Sequence, residues 1–424
     1  MKPTLRESFK HGAIEIRRHT LDNGLTVLCL KDNAAPIVSF QTWLHVGSSD
    51  EHVGKTGIAH LFEHLMFNQT ENMAPGEFDR RVESMGGDSN AATWVDWTYY
   101  RTSAPSSMLN ETIEIEADRF ANLVLETEPL ETEREVVANE RLQRVEDDVD
   151  GFVDEELFKL AYPSNHPYHA PTIGWMKDIK QLSLEDARSF YKLHYSANNA
   201  VLVIAGDFNE AKLLEKIHEH YGELPKVDVP KRAQIPSFSI EDQEYSYRKP
   251  VSAAKLVLGF AAPPQSHDDW QVLSLISSFL GAGASSELYR ALAVEKQIAS
   301  SVDCSVMPFR GPSLFQIGVN LLPNANIEDA LVEIQKKLSE LATQPIQEAD
   351  LERAKAGMEM DFWLEMDTLD GRAEAIGHSE TTLGDFRKLF DQASRFQEIE
   401  PQEVQRICQK YLVDAGSLTL KVHP

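Results

Sequence analysis

The 424-residue sequence predicts an α+β protein built as two copies of one unit. Three observations predict it. Near the end of the first half, Leu182-Ser183-Leu184-Glu185-Asp186-Ala187 opens a helix that leads to His194-Tyr195 and then to the strand Ala200-Val201-Leu202-Val203-Ile204-Ala205. Near the end of the second half, Ile399-Glu400-Pro401-Gln402-Glu403-Val404 opens a helix to Lys410-Tyr411, followed by the strand Ser417-Leu418-Thr419-Leu420-Lys421-Val422. Helices beginning near Asn110 and Asn326 correspond in the same way, and self-similarity on this scale marks a repeated supersecondary unit. Between the copies, Leu224 to Pro250 carries Pro225, Pro230, Pro236 and Pro250 among many charges and reads as an extended linker. The expected division is residues 1–224, a linker at 225–250, and a second copy at 251–424.

Along the first copy, Leu21-Asp22-Asn23-Gly24-Leu25-Thr26-Val27 reads as an opening strand after an Asn-Gly turn, and Ser39 to Val46 as a strand feeding a short apolar helix. That helix contains His60-Leu61-Phe62-Glu63-His64. Residues three and four apart lie over one another on a helix, so His60 and His64 can present ring nitrogens to one ion with Glu63 beside them. Leu61, Phe62 and Leu65 can bury the remaining faces, and buried polar groups need partners, of which a metal is one. Chance spacing among 14 histidines is the plain alternative, and the apolar surroundings argue against it. Zinc binds such nitrogens at roughly 2.0–2.1 Å and needs a third protein ligand for a catalytic site. Glu63, wedged between the histidines, suits a proton-carrying base better than a ligand. The constellation is the minimum kit of a zinc hydrolase.

The order H-x-x-E-H is the inverted zinc motif, and here the chain resembles the pitrilysin-like M16 peptidases, which include the mitochondrial processing peptidase. The resemblance implies a third ligand, a glutamate on a following helix. Glu133-Arg134-Glu135-Val136-Val137-Ala138-Asn139-Glu140 matches, with Glu140 lying 76 positions after His64. By resemblance Glu140 is the ligand and Glu133 a carboxylate that orients a histidine. A solvated acidic face is the other reading of that pair. Gly86-Gly87-Asp88-Ser89-Asn90-Ala91-Ala92-Thr93 resembles the family's edge strand near the metal, where an extended peptide adds as a further strand; Asn90 and Ala91 carry over as substrate-contacting positions. The family also implies one zinc ion per chain and, in each copy, a mixed, mostly antiparallel sheet packed against helices. The two copies together would form half of a clamshell.

The second copy departs from this pattern. Ser274-Leu275-Ile276-Ser277-Ser278-Phe279-Leu280 stands in the place of the zinc helix without a histidine, and nothing around Ala354 to Met358 plays the part of Glu140. Active single-chain relatives carry an Arg and a Tyr seven residues apart in this half, which bind the substrate backbone and stabilise the oxyanion. Alignment puts Ala293 and Ser300 at those positions; a shift could recruit Arg290, but no Tyr lies between Tyr289 and Tyr411. Losing one oxyanion donor typically costs roughly 10²–10³ in rate. Two expectations follow: a homologous partner subunit that carries the Arg/Tyr pair but lacks the zinc motif, or a non-catalytic structural or peptide-binding subunit. The intact Glu63 favours the first.

The net charge of −26 argues against nucleic acid and anionic membrane as partners. An acidic wall would favour basic peptides, and solubility alone is the simpler reading of the charge. No apolar run approaches the roughly 18 residues of a membrane span. Cys29, Cys304 and Cys408 lack ligand spacing and read as buried thiols. The N-terminus lacks the apolar core of a signal peptide, which implies the cytoplasm if Met1 is the native start and the periplasm if a signal has been removed.

Overall fold

The computed structural model describes residues 4–424. In chain order the first half contains β1 (Thr4–His11), β2 (Ile14–Thr20), β3 (Thr26–Lys31), β4 (Ile37–Leu44), α1 (Ile58–Leu65), α2 (Glu77–Ser84), β5 (Asp88–Thr93), β6 (Thr98–Pro105), α3 (Leu109–Asn122), α4 (Thr127–Arg141), α5 (Val149–Ala161), α6 (Met176–Ile179), α7 (Leu184–His194), β7 (Ala200–Gly206) and α8 (Glu210–Tyr221). The second half contains β8 (Gln243–Arg248), β9 (Lys255–Ala262), α9 (Asp268–Gly281), α10 (Glu287–Tyr289), β10 (Ala299–Val306), β11 (Ser313–Leu321), α11 (Ile327–Thr343), α12 (Glu348–Glu365), α13 (Leu369–Leu383), α14 (Lys388–Glu398), α15 (Pro401–Cys408) and β12 (Ser417–His423).

Two mixed sheets organise these elements. The first has the order β1-β2-β3-β7-β4-β6-β5, antiparallel except for the β3–β7 pair. The second has the order β10-β11-β9-β12-β8, antiparallel except for β12–β8. The parallel pair followed by antiparallel neighbours recurs, so β8, β12, β9, β11 and β10 repeat the path of β3, β7, β4, β6 and β5. The sequence reading of a repeated α+β unit holds at the level of strand order. Two differences emerge. The hairpin β1–β2 extends the first sheet ahead of the strand read as the opening one, and Gln243–Arg248, inside the stretch read as linker, pairs in parallel with β12.

The chain divides into two compact units, one of residues 1–141, 170–233 and 364–390, the other of residues 142–169, 234–363 and 391–424. Each unit therefore borrows a helix from the opposite half of the chain. The reason lies in the strands: β7, Ala-Val-Leu-Val-Ile-Ala-Gly, is buried along its whole length, and a strand that is apolar on both faces needs cover on both. In the first unit α3, α1 and α7 contribute to the core on one side of the sheet. On the other side lies α13, packed on β4 and β7. A Cβ on Gly377 would sit 2.2 Å from the Trp43 indole nitrogen, so glycine is what lets this helix lie on the ring. Polar ties fix its first two turns: Asp370 accepts from Arg101 Nη1 and Ser103 Oγ, both at 2.5 Å, and Tyr99 OH donates to Glu374 at 2.9 Å. In the second unit α5 packs on β9 and β12, with Leu157 over Gly259 and Tyr247 OH donating to Glu156 at 2.7 Å.

His378 follows Gly377, and its Nε2 is buried without a hydrogen-bond partner among the described residues. Burial pushes its pKa down to about 4. The unfolded chain takes up this proton near pH 6.5, so the stability carried by neutral His378 is complete above that pH and is lost as the pH falls towards 4. In His378→Phe the melting temperature is expected to fall less steeply between pH 6.5 and 4 than in the wild type. Calorimetry across that range checks this, and parallel slopes would refute it.

Candidate metal centre

α1 is only eight residues long, too short to stand alone, and its position is set by what surrounds it. Ile58, Ala59, Leu61, Phe62 and Leu65 are buried in a core shared with Leu130 and Val137 of α4. At its N-terminus the Glu51 carboxylate accepts from the backbone N–H groups of Gly57 and Ala59, at 2.9 and 2.8 Å, which satisfies amides that the helix itself cannot. Burial pushes Glu51 up to about 8, against the pull of those two amides.

Packing α1 against α4 brings three donors together. His60 Nε2 lies 3.6 Å from Glu140 Oε2, and His64 Nε2 lies 3.4 Å from the same oxygen. The imidazole rings meet edge to face with centroids 4.9 Å apart. One ligand atom from each of the three residues falls within 4.8 Å of the others, and this is the single such group found among the described residues. Zinc with bonds of roughly 2.0–2.1 Å in tetrahedral geometry places neighbouring ligands about 3.3–3.4 Å apart. The donor chemistry and spacing fit zinc.

Glu133, two turns before Glu140 on α4, approaches the other nitrogen of His64, Nδ1, at 3.6 Å, and accepts from Asn68 Nδ2 at 3.1 Å. His64 first and Asn68 after it hold the Glu133 carboxyl below its usual range, against burial. Glu133, then Glu140, push His64 up to about 9, which reflects how strongly this pocket attracts positive charge. Glu63 sits between the histidines on α1. Its charge is felt by a buried tyrosine pair behind the helix: Tyr100 OH and Tyr195 OH are 2.7 Å apart, and Tyr100 OH also reaches the Phe62 carbonyl at 3.4 Å. Burial foremost, then the neighbouring hydroxyl and Glu63, keep Tyr100 well above the usual phenol range.

Beneath this pair lies a buried ion pair. Arg119 donates to Glu116 at 2.9 Å through two nitrogens, and its guanidinium is enclosed by the rings of Phe67, Phe78 and Tyr100 at 5.1, 4.4 and 4.8 Å. Thr102 Oγ1 donates to the same carboxylate at 2.5 Å. Breaking one partner of a buried pair strands the other, so Glu116→Ala is expected to cost about 3–5 kcal/mol, read from urea unfolding.

Of the remaining residues singled out in the sequence, Asn90 and Ala91 lie on β5 at the open edge of the first sheet. Asn90 is exposed, and Ala91 packs against the core. Ala293 falls in the π-helical stretch Arg290–Glu295, and Ser300 lies exposed on β10 with its hydroxyl donating to the Asn320 carbonyl at 3.1 Å. Arg290 pairs with Glu287 and Glu295 at 3.7 and 3.8 Å. Sequence reasoning missed Glu51, Asn68 and the tyrosine pair. Asn68 was within reach, since it follows His64 by one helical turn; the tyrosines meet only through tertiary packing.

Comparison with known proteins gives the family. Residues 26–174 match the family model described as insulinase (peptidase family M16), and residues 181–358 match the one described as peptidase M16 inactive domain. The chain is 31% identical over 413 residues to zinc protease PqqE of Helicobacter pylori, covering 96% of this chain and 92% of that one. It is 25% identical to a probable mitochondrial-processing peptidase subunit beta of Arabidopsis thaliana, over 95% of this chain and 77% of that protein. The crystal structure of a protease from Helicobacter pylori superposes with a TM-score of 0.91 at 30% identity, covering 96% and 99% of the two chains. With the inverted motif on α1 and relatives named as zinc proteases along nearly its full length, the chain belongs to the M16 peptidase family.

Proposed function

We propose that this chain is the zinc-bearing subunit of an endopeptidase, with His60, His64 and Glu140 as ligands and Glu63 as the proton carrier. The observation that carries the reading is the crowding of two imidazole nitrogens and one carboxylate oxygen to 3.4 and 3.6 Å beside a further carboxylate on the same helix. A bound zinc supplies Lewis acidity, lowering the pKa of water to about 7 and polarising the scissile carbonyl. Glu63 takes the proton from the attacking water and delivers it to the leaving amine. Glu133 holds the far nitrogen of His64 and so fixes the ring that the metal needs. The β5 edge, through Asn90 and Ala91, receives an extended peptide as an added strand.

The two positions in the second copy bear on how the reaction is completed. Neither Ala293 nor Ser300 offers a charge or a phenol to a developing oxyanion, so we assign that task to a homologous partner subunit that has the Arg/Tyr pair and no zinc motif. The plant relative is named as a subunit, which agrees with a divided site. Basic peptide segments suit the acidic chain. The same two positions would also suit a non-catalytic subunit, and activity decides between them.

Two outcomes are expected. Glu63→Gln keeps stoichiometric zinc in elemental analysis while cleavage of an unfolded peptide falls by at least a hundredfold; normal turnover by this variant would sink the mechanism. The wild-type chain alone cleaves weakly, and addition of a zinc-less homologue raises the rate by roughly 10²–10³. Full activity without a partner would overturn the divided site, and zinc uptake without activity in every pairing would favour the non-catalytic subunit.

A further inference from the structure

The two helices that bear the donors come from distant parts of the chain, and the apolar packing between them is non-directional. Such packing resists separation but does not by itself stop one helix sliding along the other, whereas a metal site must be held to within about 0.5 Å. Beside the Asn68–Glu133 bond, the polar ties that oppose such sliding meet in a single short segment ending in α6. Thr56, immediately before the Gly57 cap of α1, donates its hydroxyl to Asp178 at 2.8 Å and accepts from the backbone N–H of Trp175 at 2.9 Å. Gly57 and Gly174 touch backbone to backbone. A Cβ on Gly57 would meet the Ile173 carbonyl at 2.5 Å, one on Gly174 would meet the Gly57 Cα at 2.5 Å, and φ is +87° and +86° at the two positions. From the other side Arg141, the residue directly after Glu140, donates through Nη1 to the Gly174 carbonyl at 2.9 Å, with its guanidinium 5.8 Å from the centre of the Trp175 ring.

The dipeptide Gly174-Trp175 is thus held by the start of the histidine helix on one side and by the end of the glutamate helix on the other. Thr56, Arg141 and Asp178 are 7%, 5% and 8% exposed, so water does not compete for these bonds. We propose that this strut sets the spacing between the histidine pair and Glu140, and that Arg141 and Thr56 are positioning residues for the metal. The inference rests on the ligand assignment above. It accounts for a buried arginine beside Glu140 and for a close backbone crossing of two glycines, neither of which the chemistry of the reaction requires.

The test is made on the full chain with zinc and cobalt. Arg141→Met and Thr56→Val are expected to lower zinc affinity about tenfold or more in competition with a chromophoric chelator, and to shift the visible bands of the cobalt-loaded protein. Thr56→Ser, which keeps the hydroxyl, is expected to restore both. Parent-like zinc affinity and cobalt bands in Arg141→Met and Thr56→Val, with or without a lowered melting temperature, overturn the strut. His60→Ala in the same assay separates the two levels: if it binds zinc as the parent does, the ligand assignment fails, whereas loss of zinc there beside parent-like Arg141→Met and Thr56→Val removes the strut alone.

Discussion

The structure turns on the meeting of three lone-pair donors from two helices. Two imidazoles approach one carboxylate oxygen at 3.4 and 3.6 Å, and a second carboxylate stands behind His64. Electron-rich atoms gathered this closely in a half-buried pocket favour a positive charge, a proton or a cation. Everything that positions α1 and α4 serves this contact: the shared apolar core, the Glu51 cap, the Asn68 and Glu133 ties, and the tyrosines behind Phe62. A shift of either helix by one residue, 1.5 Å of rise, would take the donors out of range of a common ion.

The exchange of α5 and α13 between units has a bearing on how such a site stays rigid. A sheet whose central strand is apolar on both faces cannot be finished by the helices of its own half, because those lie on one side only. α13, arriving from some 160 residues beyond β7, closes the second face of the first sheet and locks there through Gly377 and Asp370. β4, which leads through the Glu51 loop into α1, is one of the two strands that α13 covers. The backbone that feeds the histidine helix is therefore held between two layers, and the completion of the first unit depends on residues from the far end of the chain.

Local patterns made much of this legible in the sequence. His60, Glu63 and His64 are bound together by helical spacing, and β7 by an unbroken apolar run. The repeat showed because both copies end in the same helix-to-strand passage. Glu140 was found through family resemblance, since 76 residues of intervening chain leave no local trace of a contact. The pairing of β8 was hidden in a proline-rich, charged stretch, where the alternation of Tyr245 and Tyr247 is too short to compete with the linker composition. The helix exchange was invisible for a physical reason: α13 has no strongly amphipathic pattern, because it is buried along most of its length against a sheet face that is itself part polar. Glu51, Arg141 and the tyrosine pair act through tertiary bonds to backbone groups or to each other, and such bonds impose no periodicity on the sequence.

The second copy separates what the fold requires from what the chemistry requires. α9 occupies the position of α1, yet it runs for 14 residues instead of eight and is buried almost throughout. Opposite it, a Cβ on Gly357 of α12 would meet Ser278 Oγ at 3.8 Å, where the first copy sets Glu140 of α4 against His60 and His64 of α1. A helix of that length, buried in an apolar core, needs few polar anchors, and the anchors of α9 gather at its first turn, where Asp269 meets Lys410 and Tyr411. α1 is held at its start by Glu51 and Thr56, behind its middle by Tyr100, and after its end by Asn68. The two copies share strand order and differ in these ties, so the strand order does not depend on them. Under the proposed zinc-bearing reading, the anchoring of α1 is the part of this protein that the metal chemistry demands.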